Sequence, residues 1–401
     1  MKIRKMIGCV FYLIDMTLCT LIMYISYYCL PKEIWIVSER LDQAQDNGIA
    51  FFEYLNTNHP EISSYYLLNR KCKRIDKVNK IGKVLIKGTL KHKLYFLKSN
   101  VLAFTEKNMI EPWGSNVFYK YFARFYPKKI KVFLQHGITD KDVSSIYGKQ
   151  VSNIDVFVTS STLEEKFIIE KFGYPLQEVS NTGMSRYDKL VENYKLKEKL
   201  IVYMPTWRRN LIDLSNENKQ YIDKAREAFV HSRYYNEIQS LLVSEAFWNL
   251  LEKYDFKFIT ITHHAINKFS DEFKVYNSRM KIYKSEEIEI RDLLQKAKIF
   301  VTDYSSTHFD SAYIGNTNIY YQFDKEEFRK VHAGKSYFDY EKHGFGNISY
   351  NLPEFLTQIK IAMENDGRRD RIYTKRVEEF FEFRDSQNSE RLYNFLKKVR
   401  T

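Results

Sequence analysis

The stretch VTDYSSTHFDSAYIG, Val301 to Gly315, decides how this chain reads. An apolar run leads through a short polar turn into a segment with helical character, the strand–turn–helix order of an α/β unit. Working outward, the same order repeats. Upstream, EEIEIRDLLQKA sets Ile290, Leu293, Leu294 and Ala297 on one helical face before the run AKIFVT. KLIVYMPTW and KFITITHH read as earlier strands and NTNIYYQFD as a later one. This alternation begins near Lys199.

A separate alternation fills the preceding part. IWIVSE, YYLLN, KVLIKG, NVLAFT, KVFLQH and DVFVTS read as strands, with helical stretches between several of them. DQAQDNGIAFFEYLNTN reads as a helix interrupted near Asn47-Gly48. Ser161-Thr162-Leu163-Glu164 has the capping-box pattern and opens a helix ending near Gly173. Two such runs predict two α/β domains with largely parallel sheets, at 31–195 and 196–401, behind an apolar segment at 1–30. The segment from Arg368 to Arg400 is charged and helical.

The 401 residues suit two or three domains, and 44% hydrophobic with 16% aromatic content supports real cores. The formal net charge of +13 favours acidic partners: a membrane surface, a polyanion or a phosphorylated substrate. Lys and Arg are spread along the chain rather than gathered in one tract. No zinc finger, RNA-recognition signature or basic arm is present, so no nucleic-acid partner is expected. Cys9, Cys19, Cys29 and Cys72 match no zinc or redox spacing, and a reduced setting fits them.

Residues 6–30 are almost continuously apolar and long enough to span a bilayer. Asp15 is the one charge inside, Lys2, Arg4 and Lys5 precede it, and no small-residue cleavage site follows. The expectation is an anchor lying in, or dipping into, the cytoplasmic leaflet. Tyr12, Tyr24, Tyr27, Tyr28 and Trp35 suit such an interface. The other reading is a helix packed on the protein.

In open α/β sheets ligands bind beyond the carboxyl ends of the strands. Those exits read His136-Gly137, Pro205-Thr206-Trp207-Arg208, His263-His264 and Asp303-Tyr304-Ser305-Ser306. Imidazole, guanidinium and paired hydroxyls at four exits suit phosphate oxygens. A helix beginning near Ser305 or Ser306 favours an anion there; the alternative is that one of these serines is a simple N-cap. Asp303 and Asp310 must turn away, orient a neighbour or bind a hydroxyl. Adjacent His263 and His264 point to opposite faces of an extended chain. Arg208 or Arg209 either pairs with a phosphate or is an exposed strand-end charge. No P-loop, GxGxxG or HExxH motif occurs.

The set SERLDQAQDNGIAFFEYL, LQHG, YMPTWR, HH and VTDYSSTHFD…NIYYQFD resembles the CDP-glycerol glycerophosphotransferase family, the teichoic-acid-polymerase-like enzymes, in order from about residue 34 to about 345. The resemblance implies a GT-B-like fold of two Rossmann-type domains, with the donor held mainly by the second. It implies peripheral attachment to the cytoplasmic face of the cell membrane. It implies transfer of glycerol phosphate, or a related alditol phosphate, from a CDP-linked donor such as CDP-glycerol to a hydroxyl of a polyanionic or lipid-linked glycan acceptor. His136 matches the family's proposed general base, a role imidazole fills near neutral pH. His263 matches the second histidine, on the donor's diphosphate, with His264 as a register alternative. Arg208, Asp303, Ser305, Ser306 and Asp310 fall in the donor-binding motifs, and Gly137 allows close approach beside the imidazole. No cofactor is expected, and Mg²⁺ riding on the donor stays open. The chain departs from the family pattern at Gln135, at Ile138-Thr139-Asp140 and at Arg209. Rival functions are a GT-B glycosyltransferase using a nucleotide sugar and a non-catalytic membrane scaffold.

Overall fold

The computed structural model describes residues 2–107, 109–113, 118–192, 196–211, 218–332 and 336–400. The chain forms two compact units. One comprises Met1–Ile138, Val143–Lys189 and Asp385–Thr401; the other comprises Thr139–Asp142 and Leu190–Arg384. The expected boundary at 195 falls in 193–195, outside the described residues.

The first unit is built on β1 (Ile34–Ser38), β2 (Ser63–Leu68), β3 (Lys83–Ile86), β4 (Val101–Phe104), β5 (Ile130–Phe133), β6 (Val156–Thr159) and β7 (Val179–Asn181). They form one parallel sheet in the order β3-β2-β1-β4-β5-β6-β7. The central strands are unbroken apolar runs because both faces are covered: every residue of β1, β4 and β6 is buried. Trp35, Phe51, Phe52, Tyr66 and Val132 anchor the core.

The second unit holds β8 (Glu198–Met204), β9 (Lys257–Thr262), β10 (Met280–Lys284), β11 (Ala297–Thr302), β12 (Thr317–Tyr321) and β13 (Gly346–Ser349). They too are parallel, in the order β10-β9-β8-β11-β12-β13. Tyr203, Phe229, Phe258, Val301, Tyr321 and Phe355 sit in its core. Strand order reverses between β1 and β4 in the first sheet and between β8 and β11 in the second. These reversals are where crevices for ligands open in such sheets.

The chain's end is not part of the second unit, as the sequence suggested. The helix Asn388–Arg400 belongs to the first: Leu392 and Leu396 enter its core, and Tyr393 packs 5.9 Å from Trp35. Asp188 caps this helix by accepting from the backbone N–H groups of Asn388 (2.8 Å) and Ser389 (2.9 Å).

The helix expected to be interrupted at Asn47-Gly48 instead begins there. It runs Asn47–Asn58, with Asp46 accepting from Asn47 N–H at 2.8 Å. A Cβ on Gly48 would lie 2.7 Å from Glu39 Cγ, so the glycine lets the helix start close over that side chain. The Ser161 cap forms as read: its Oγ accepts from Glu164 N–H at 3.1 Å, the Glu164 carboxylate accepts from Ser160 N–H at 2.8 Å, and Gly173 ends the helix at φ 74°.

The first helix, Lys2–Ile25, packs along the helix Leu90–Lys98 through buried Met16, Cys19 and Met23. Asp15 sits on this packed side. It accepts from Lys93 Nζ at 2.6 Å and Trp113 Nε1 at 2.7 Å. Burial alone would raise its pKa, but these two partners hold it below the usual range. The other side exposes Phe11, Ile14, Leu18, Leu21 and Ile25, a three-four spacing that makes one stripe. Among the described residues no helix is long and apolar enough to cross a membrane.

Candidate active site

β5 stops at Phe133, three residues short of the imidazole. Leu134 and Gln135 are buried, and His136 is exposed. The sequence reading gave Gly137 close approach beside the imidazole, and the glycine is buried. The left-handed residue is Gln135, at φ 59°. A non-glycine there is unfavourable unless its surroundings hold it. They do: Gln135 Nε2 donates to Glu164 Oε1 at 2.9 Å and to Val158 O.

The three carbonyls leading into the site are also held. Asn47 Nδ2 donates to Leu134 O (3.1 Å) and Gln135 O (2.9 Å). Arg186 Nη1 donates to His136 O (3.1 Å) and pairs with Asp46 at 2.6 Å. Arg186 N–H donates to Asn47 Oδ1 at 3.1 Å, which locks the two clamping residues together. Both are buried. A rigid backbone thus presents a solvent-facing imidazole.

Asp46 and Asn47 follow Glu39, which lies just past β1. Glu39 is buried and accepts from the N–H groups of Gln45 (2.9 Å), Asp46 (2.8 Å) and Ile49 (2.8 Å). Burial, then the charge of Asp46, pushes its carboxyl up to about 7 against those donors.

In the second unit the exits of β8 and β11 flank the switch point, and they are the PTWR and DYSS turns. Arg208 stands differently from either sequence expectation. It is buried, donating from Nη2 to Asp303 Oδ2 (2.8 Å) and from Nε and Nη2 to Asp324 (2.6 and 2.8 Å). The rings of Tyr234 and Phe328 lie 4.9 Å from its guanidinium carbon. Burial would lower its pKa, but Asp303 and Asp324 outweigh that and hold it above the ordinary value. Asp303 likewise turns away from solvent. It accepts from Thr206 N–H (2.8 Å) and Tyr304 N–H (2.6 Å), joining the two turns. Arg208 and Asp303 therefore build the turns rather than present groups to a donor.

The groups that do face outward are smaller. Ser305 and Ser306 are half-buried, and Ser305 Oγ donates to Thr307 Oγ1 at 3.1 Å. The helix begins only at Thr307, and Asp310 is half-buried within it. Lys141, from the segment Thr139–Asp142, donates to Tyr304 O and to Asp140 Oδ1, both at 3.2 Å. Its ammonium therefore lies against the DYSS turn.

His263 caps the helical segment His264–Glu272. Its Nδ1 accepts from Ala265 N–H at 3.2 Å, leaving the ring proton on Nε2. The ring stacks on Trp207 at 5.8 Å and 14°, and lies 4.1 Å from the His264 ring. The two histidines do not alternate across a strand, because β9 ends at Thr262. His263 is half-buried and His264 exposed; Arg209 is also exposed. Among the described residues no three His, Cys, Asp or Glu side chains gather as a metal-binding group.

Arg186 and Lys141 escaped the sequence reading, while Asn47, Trp207 and Asp324 lay in stretches it quoted but were given no role. Arg186 follows β7 in the segment TGMSRYD, and β7 is only three residues long. The signal available there is Gly183, at φ 84°, where a Cβ would collide with Asn388.

Parallel sheets with polar groups gathered at their carboxyl exits define the class: a two-unit α/β protein of GT-B-like type. The chain belongs to the CDP-Glycerol:Poly(glycerophosphate) glycerophosphotransferase family, whose family model matches residues 22–398. It is 30% identical over 375 residues to the minor teichoic acid biosynthesis protein GgaB of Bacillus subtilis (strain 168), a match covering 90% of this chain and 39% of that protein. It is 21% identical over 380 residues to the teichoic acid poly(glycerol phosphate) polymerase of the same organism, covering 88% and 47%. The chain thus spans less than half the length of these relatives. In fold it is similar to the solved wall teichoic acid polymerase TagF, with TM-score 0.64, 12% identity, and coverage of 96% of this chain and 98% of that one. It is also similar to UDP-GlcNAc 2-epimerase from Neisseria meningitidis, with TM-score 0.56, 12% identity, and coverage of 91% and 100%.

Proposed function

We propose that this chain transfers glycerol phosphate, or a related alditol phosphate, from a CDP-linked donor to a hydroxyl of a teichoic-acid-like or capsular polymer, releasing CMP. The observation that carries this reading is His136. It is the residue matched to the family's base, and it is an exposed imidazole on a backbone held by buried Asn47 and Arg186.

The acceptor hydroxyl attacks the β-phosphorus of the donor. His136 takes its proton as the new O–P bond forms. The bond between the β-phosphorus and the bridging oxygen breaks, and that oxygen leaves on CMP. Nothing covalent is asked of the protein; positioning and charge stabilisation carry such transfers. On the donor side, His263 Nε2–H, the hydroxyls of Ser305 and Ser306 and the Lys141 ammonium are donors suited to diphosphate oxygens. Arg208 and Asp303 act beneath them by fixing the turns.

The protein works at the cytoplasmic face of a membrane, with the stripe Phe11, Ile14, Leu18, Leu21 and Ile25 set in the interface. The pairing of Asp15 with Lys93 and Trp113 favours a helix held on the protein surface over one inserted upright.

The test offers the protein CDP-glycerol, CDP-ribitol and UDP-sugars with a lipid-linked or polymeric acceptor. CMP release from a CDP-alditol is the expected result. UDP release from a nucleotide sugar would install the glycosyltransferase reading, and no turnover with any donor would favour the scaffold.

A further inference from the structure

The chain's positive charge is spread widely, yet it is not evenly free. Several lysines are committed to the fold. Lys98 donates to Tyr27 O and Leu30 O, and Lys129 to Leu97 O and Ser99 O. The segment RKCKRIDKVNK, residues 70–80, behaves otherwise. It holds six cations against one carboxylate, Asp76, and so +5 of the chain's +13 in eleven residues.

This segment leaves the carboxyl end of β2 and is fixed from beneath by buried Cys72 and Val78. Arg70, Lys71, Lys73, Lys77 and Lys80 are exposed, and among the described residues no carboxylate pairs with any of them. Arg74 Nη2 donates to Gln45 Oε1 at 3.0 Å, and Asn69 N–H to Leu41 O at 2.8 Å. The basic segment is therefore hydrogen-bonded to the loop after β1. That loop continues into Asp46 and Asn47, the residues that hold Arg186 and the His136 turn. All of this lies beyond the carboxyl ends of strands of one sheet. β2 stands three places from β5, roughly 14 Å at the usual spacing between strands.

We infer that residues 70–80 form the binding surface for the phosphodiester backbone of a polyanionic acceptor, behind the hydroxyl delivered to His136. The chemistry fits: an alditol-phosphate polymer carries one negative charge per repeat, and separated cations bind such a chain by releasing its counterions, independently of fine structure. Continuity with the His136 turn favours a polymer over a lipid surface as the partner. The identity of the polymer rests on the proposed transfer reaction; the surface and its charge do not.

The experiment measures equilibrium binding of a labelled linear glycerol-phosphate oligomer, without donor, over a range of salt. It compares the full chain, the variant K71Q/K73Q/K77Q/K80Q, and the control K257Q/K268Q/K360Q/K375Q. The control removes the same charge from exposed positions of the second unit. The patch variant should weaken binding at low salt by about tenfold or more and flatten the salt slope, at about 0.7 per lost contact. The control should bind like the parent.

Equal loss in both variants, no loss in the patch variant, or no oligomer binding by the parent would overturn the proposal. So would loss of binding only to vesicles containing phosphatidylglycerol, which would make the patch a lipid surface. If the parent releases no CMP from any CDP-alditol yet the binding contrast holds, the transfer reading fails and the surface stands.

Discussion

The two clusters of strand exits solve one problem in opposite ways. At the exit of β5 the motif residue His136 is presented to solvent, and its support comes from Asn47, Gln135, Glu164 and Arg186, residues scattered over the first unit. At the exits of β8 and β11 the motif residues themselves, Arg208 and Asp303, are buried as support, and smaller groups face outward. One clamp is mainly amides and carbonyls; the other is an ion network. A strand-exit position marks a residue as belonging to a site without saying whether it meets the ligand or holds the residues that do.

The sharpest break comes from the ion network. Arg208→Met leaves Asp303 and Asp324 buried without their cation and should cost about 3–5 kcal/mol in the second unit, read by urea denaturation. A loss below about 1 kcal/mol would mean the network is not a scaffold.

The amide of the first clamp should yield less. Asn47→Ala strands two buried carbonyls, at roughly 1–3 kcal/mol of first-unit stability. It should lower kcat and leave the donor KM in place. A change in donor KM alone would contradict a positioning role. Lys141→Met should fold normally and raise the donor KM by about tenfold, near the ~1.5 kcal/mol of one hydrogen bond to a charged group. Unchanged KM would remove Lys141 from the donor site.

A fourth break concerns pH. Glu39 is held up at about 7, against an ordinary 4.5. Between those values the unfolded chain has lost a proton that the folded chain keeps, so stability falls as pH rises through this window and levels off above it. Glu39→Gln should remove that slope in denaturation at stepped pH. Arg208, held above its ordinary value, contributes no such slope near neutrality.

Much of this was legible in the sequence. The strands that went unread are β7, β10 and β13, and each is an edge strand. Covered by one neighbour only, these three keep half-exposed positions and lack the unbroken apolar run that betrays β1 or β11. His136 was legible because it ends such a run. Arg208 was misread because a cation after a strand looks the same whether it meets phosphate or buried carboxylates, and Asp324 lies 116 positions away. Asn47 and Arg186 were hidden for the same reason: their partners at Gln135 and His136 are 88 and 50 positions distant. Long-range pairing leaves no periodicity to read.

The account turns on His136, an exposed side chain whose removal leaves the clamps beneath it untouched. The direct measurement is CMP release from CDP-glycerol or CDP-ribitol, whichever the parent uses, by His136→Ala, alongside donor affinity and unfolding. The account predicts a fall in kcat of about 10²–10⁴-fold with donor affinity and stability unchanged. Turnover close to that of the parent, in a folded variant that still binds donor, would contradict it.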